Sequence, residues 1–126
     1  MSDFLPYQES LILHEELGFN EPCYAVYSEH DQTRVYDNDS IKEGKIIPAL
    51  LYQQAFRFFR EKYGLFVAPS AISYEGGPHL WFFEINSTTI PFGTDLGITD
   101  DFNTYEEAEL ACLIKLIEIV KNKNKI

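Results

Sequence analysis

The sequence predicts a single α+β domain over residues 1–126, ordered helix–hairpin–helix–hairpin–helix, with three helices packing an antiparallel sheet of about four strands. Three observations carry that expectation. Tyr7-Gln-Glu-Ser10, Tyr52-Gln-Gln-Ala55 and Tyr105-Glu-Glu-Ala108 each open a segment of helical periodicity. Gly18 and Gly64 follow the first two segments, where a glycine closes a helix in the left-handed conformation. After each glycine comes a stretch rich in aromatic and β-branched residues with turn formers in its middle.

The first helix is expected over Pro6–Leu17, with Pro6 in the first turn, where its missing N–H costs nothing. Tyr7, Ser10, Leu11, Leu13, His14 and Leu17 share one face, so His14 reads as a hydrogen-bonded core residue. The first hairpin pairs Cys23–Ser28 with Thr33–Asp37, and the polar run Asn38–Lys45 reads as a linker. At its start, Asp37-Asn-Asp39-Ser40 lacks the later glycine and glutamate of a calcium loop and reads as a turn. The second helix is placed at Pro48–Tyr63, with Arg57 and Arg60 one turn apart on its polar face.

The second hairpin pairs Phe66–Tyr74 with Leu80–Ile85 around Glu75-Gly-Gly-Pro78. Pro69 makes its first half an edge strand. On its second half Trp81, Phe83 and Ile85 point one way and Leu80, Phe82 and Glu84 the other. Residues 87–103 read as a long loop, with a short extra strand near Thr89–Phe92. Thr104 and Glu107 have the spacing of a capping box and start the third helix.

That last helix is apolar on two sides. Tyr105, Ala108, Cys112, Leu116 and Ile119 form a stripe directed at the sheet, and Leu110, Ile114 and Ile117 form a second, with Leu113 and Val120 between them. A second stripe of this size needs cover. The expected cover is a second copy of the chain, with Leu110, Leu113, Ile114 and Ile117 as the homodimer interface. Cover by a neighbouring helix of the same chain, or by a different partner, stays open.

Ten basic residues against 20 acidic ones give a net charge of −10, which excludes a general binder of the nucleic-acid backbone. Eight Tyr, ten Phe and one Trp exclude a disordered acidic tail. The two cysteines, Cys23 and Cys112, are no disulfide framework and read as core thiols. No apolar window is long enough to span a membrane, and the N-terminus has no basic region of a signal peptide, so a cytoplasmic location is expected.

No nucleophile elbow, phosphate loop or dinucleotide fingerprint is present, and the three histidines lie apart in sequence, so no enzyme, metal or cofactor is expected. Binding is the expected mode of action. Arg57, Arg60, Tyr74, His79 and Trp81 are the candidate ligand-binding residues, because guanidinium grips phosphate while aromatic rings stack on bases.

Three blocks, Glu21-Pro-Cys23-Tyr, Tyr52-Gln-Gln-Ala-Phe-Arg-Phe-Phe-Arg-Glu-Lys-Tyr-Gly64-Leu and Thr104-Tyr-Glu-Glu-Ala-Glu-Leu-Ala-Cys112-Leu-Ile-Lys-Leu-Ile-Glu-Ile-Val-Lys121, stand in order along nearly the whole chain. In them the chain resembles a group of short proteins carried by phages and prophages of gut bacteria, whose motifs bring no assigned activity or functional residues. The resemblance implies a phage accessory protein in the cytoplasm of an infected or lysogenic host. Such a protein is expected to counter host defence by sequestering a nucleotide-like signal or a host protein. The alternatives are an acidic nucleic-acid mimic that blocks a DNA-handling protein, and a small hydrolase.

Overall fold

The computed structural model describes residues 3–29, 32–36, 46–73, 75–77, 79–87 and 101–123. The order is α1 (Tyr7–Leu11) running into a π-helical segment (Ile12–Glu16), β1 (Ala25–Ser28), β2 (Arg34–Val35), β3 (Ile46–Ala49), α2 (Tyr52–Tyr63), β4 (Leu65–Ser73), β5 (His79–Ser87) and α3 (Tyr105–Lys123). The α+β class holds. The sheet does not: strands β2-β1-β3 form one antiparallel sheet and β4-β5 another, instead of one sheet of about four strands. The chain groups into two compact units, Met1–Ala55 and Phe56–Ile126, with the boundary inside α2.

In the first unit the predicted helix changes pitch. The Leu17 N–H reaches back five residues to the Ile12 carbonyl at 3.1 Å, and the Phe19 N–H bonds the Leu13 carbonyl at 2.8 Å. Gly18 sits between them at φ 81°, the left-handed closure its position predicts. His14 Nδ1 lies 3.1 Å from the Phe19 carbonyl, so the imidazole helps cap the turn.

The first hairpin forms with Val26 opposite Val35 and Tyr27 opposite Arg34. Its turn is drawn in by the Gln32 N–H on the Ser28 carbonyl at 2.7 Å. The strand the sequence does not predict is β3, because Pro48 also suits the first turn of a helix. Pro48 instead sits in an edge strand opposite Val26, where a missing N–H is tolerated, and the neighbouring Ile46 and Ile47 favour extended backbone. The helix therefore begins at Tyr52, where Gln54 Oε1 accepts the Leu51 N–H at 3.0 Å in half of a capping box.

Ala25, Tyr27, Ile47 and Ala49 form the buried face of this sheet, packed by Phe4, Tyr7 and Leu11. The Tyr27 hydroxyl donates to the Leu5 carbonyl, and the fully buried Ser10 hydroxyl accepts the Leu50 N–H at 3.4 Å. Both buried polar groups are thus satisfied, as an apolar interior requires. The turn and linker expected at 37–45 lie outside the described residues, as does the extra strand near Thr89–Phe92.

In the second unit the hairpin pairs all nine residues of β4 with β5, from Leu65 opposite Ser87 to Ser73 opposite His79. Phe83 and Ile85 are buried, as their alternation predicts. Thr104 caps α3: its hydroxyl accepts the Glu107 N–H at 3.2 Å and donates to the Glu107 carboxylate at 2.9 Å. Thr104→Ala should therefore lower the unfolding free energy by about 1 kcal/mol, while Thr104→Asp keeps most of it. A urea titration followed by circular dichroism measures both.

The two stripes of α3 resolve into one wide arc. Ala108, Cys112, Leu116, Val120, Leu113 and Ile117 are all buried within the single chain. At 3.6 residues per turn they cover about half the circumference, with Ala108 at one border and Ile117 at the other. Leu113 and Ile117 were expected at a homodimer interface, but the chain itself covers them. Of the second stripe, Leu110 remains half-buried and Ile114 is 44% exposed.

Candidate functional site

On β5 the pairing register places His79, Trp81, Phe83 and Ile85 on one face of the hairpin. That face runs from core to solvent. Ile85 and Phe83 are buried, Trp81 is half-buried, and His79 is exposed at the turn end. A half-buried Trp at the edge of a core presents an apolar ring and a polar N–H to a partner.

Two features hold Trp81 in place. Its backbone exchanges paired hydrogen bonds with Phe102, both at 2.8 Å, so β5 is flanked here by Phe102 on one edge and by β4 on the other. Its ring meets Tyr105, the first residue of α3, edge to face at 5.4 Å and 88°. Tyr105 also packs on Phe83 at 5.5 Å. The Trp81 indole is thereby oriented before any ligand arrives, with an aromatic pair energy of about 1 kcal/mol on each contact.

The electrostatics at this end are negative. Burial pushes the Tyr105 hydroxyl above its usual range, and Glu109, Cys112 and Glu106 push it further in that order. Glu106 and Glu109 are both half-buried on the first turns of α3, where carboxylates also suit the positive end of the helix dipole. Burial, with Glu109 second, raises the Cys112 thiol to about 12, so it stays protonated and inert. Cys23 is half-buried, not a core thiol; burial and then Glu21 raise it.

Beyond Trp81, the Ser73 hydroxyl lies 2.7 Å from His79 Nδ1 across the strand pair. A hydroxyl on an imidazole is one part of a nucleophilic site, but both residues are exposed, and the contact uses the ring nitrogen that an orienting carboxylate would need. Among the described residues no three His, Cys, Asp or Glu side chains gather to hold a metal ion. No helix of the described chain is long and apolar enough to cross a membrane.

Of the predicted binding residues, His79 and Trp81 share one face of β5. Arg57 and Arg60 are exposed on α2. Tyr74 lies outside the described residues. Sequence reasoning missed Tyr105, Glu106 and Glu109 as a site, because capping and helix periodicity already accounted for them. The available signal was Glu109, an acid on the apolar face of α3 one turn after Tyr105. No protein family, no curated protein and no solved structure matches the chain.

Proposed function

We propose that this chain acts by binding, as a phage-type accessory protein that occupies a basic surface of a host protein and so blunts host defence. One observation supports this most: Tyr105, held edge-on to the half-buried Trp81 where the hairpin core opens to water, sits in the field of Glu109 and Glu106. Rings flanked by carboxylates favour a cation over their faces, an Arg or Lys side chain of a partner. The same carboxylates repel phosphate, which disfavours the nucleotide-like ligand. The overall balance of 20 acidic to 10 basic residues steers a basic partner towards the chain.

Trp81 is the one tryptophan in the sequence, so its fluorescence reports on the site without a label. Titration with an Arg-rich peptide should change that fluorescence, weaken with salt, and lose most of its effect in the double variant Glu106→Gln/Glu109→Gln. A response to nucleotides and none to the peptide contradicts the proposal. The net charge favours a second reading, the nucleic-acid mimic, which predicts salt-sensitive binding of a DNA-handling protein with Trp81 fluorescence unchanged.

A further inference from the structure

We propose that the edge of β4 receives an extended, arginine-bearing segment of a partner protein as an added antiparallel strand, which carries a guanidinium across Ala71 to Trp81. This deepens the cation reading above and rests on it, since the same indole takes the charge.

The pairing fixes which backbone groups are on offer. The Trp81 N–H and carbonyl both go to Phe102, so they point away from β4. Trp81 stands opposite Ala71, which makes theirs a non-hydrogen-bonded pair, and the Ala71 N–H and carbonyl therefore point outward from the hairpin. Alternation gives Leu65, Val67, Pro69 and Ser73 the same outward direction, so Pro69 gives up no bond to β5. Among the described residues β4 has one strand neighbour, β5. Open edges are normally guarded by charged side chains or proline. The nine residues of β4 carry no charge, and past Pro69 the exposed Ala71 and Ser73 have neither guard. Only an extended backbone matches outward donors and acceptors at every second residue, and an antiparallel one continues the hairpin's own pattern.

Ala71 also clears the way to the ring. Directly opposed residues share a face, so a side chain laid against the small, exposed Ala71 projects on the Trp81 side. Trp81 is then two strand spacings away, about 10 Å. An arginine spans most of that distance, and a cation acts on an indole within about 6 Å of its centre. A chain with 20 acidic and 10 basic residues favours such a segment.

Trp81 fluorescence, titrated with a peptide of alternating Arg and Thr, tests the proposal. With arginine on the Trp81 face of an antiparallel strand, every Arg N–H points to β4 and every Thr N–H points away. Methylating the Arg amides should weaken binding about tenfold or more, and methylating the Thr amides should leave it within about twofold. Ala71→Pro removes one outward donor and no hairpin bond, as Pro69 already does. It should keep its fold by circular dichroism and bind the unmethylated peptide about fivefold more weakly. A fluorescence response that neither methylation changes overturns strand addition and leaves the cation site standing. A loss on Thr methylation instead overturns the antiparallel direction, and binding indifferent to Ala71→Pro overturns the seat at Ala71. No response to the parent peptide overturns the cation site and this proposal with it. A dimer in sedimentation that Ala71→Pro dissociates gives the edge to a second copy and overturns the proposal.

Discussion

Replacing Phe83 with alanine is expected to lower the free energy of unfolding by about 3–5 kcal/mol, the usual range for a large aromatic lost from a core. Phe83 is 1% exposed and touches rings from two helices, Phe56 of α2 at 6.1 Å and Tyr105 of α3 at 5.5 Å. Removing the ring leaves a cavity between them, whose lining loses its contacts with Phe83. A domain of this size has roughly 5–15 kcal/mol in all, so this one side chain carries a large fraction of it. Phe66, 39% exposed on the partner strand, is the control: Phe66→Ala should cost less than about 1 kcal/mol. Urea titrations of the two variants, followed by circular dichroism, measure the difference.

The second large effect contrasts neighbours on α3. Leu113→Glu should destabilise the chain by about 4 kcal/mol or more, whereas Ile114→Glu should stay within about 1 kcal/mol of wild type. Leu113 is fully buried and Ile114 is 44% exposed, so the same carboxylate is placed inside the arc or in water by a shift of one residue. An unpaired carboxylate in an apolar interior loses its hydration and gains nothing in return. Lowering the pH should recover part of the Leu113→Glu loss, because burial raises a carboxyl pKa and the neutral acid is cheaper to bury. Equal losses at the two positions would mean that the helix is covered on both sides or on neither.

Local chemistry was legible in the sequence wherever one residue has one physical job. Gly18 and Gly64 take positive φ at the ends of their helices, Thr104 and Glu107 cap α3, and Phe83 and Ile85 face inward from β5. What failed depended on which segments meet. Pro48 suits both a helix start and an edge strand, and only the Val26 partner decides between them. The four predicted strands were merged into one sheet because strand periodicity says which face is apolar, not which neighbour is hydrogen-bonded. On α3, Leu113 and Val120 were the decisive residues. Lying between the two stripes, they join them into one continuous face, which a wide enough packing surface within the chain can cover. The candidate site was half legible, through His79 and Trp81. Tyr105, eighteen residues past the end of β5, joins them only in the fold.

Whether the chain alone covers α3 is tested most directly by the reactivity of its two thiols, read by mass spectrometry at a concentration too low for self-association. Cys112 is fully buried within the arc, one turn from its Ala108 border, and its thiol is held near 12, so almost none of the reactive thiolate forms near neutral pH. Cys23 is only half-buried, its thiol on the Glu21 carbonyl at 3.6 Å, so it should react before Cys112. The native protein should take one label from a thiol-alkylating reagent, on Cys23, with Cys112 labelled only once denaturant unfolds the chain. Labelling of Cys112 in the native chain at the rate of Cys23 would contradict the covered arc.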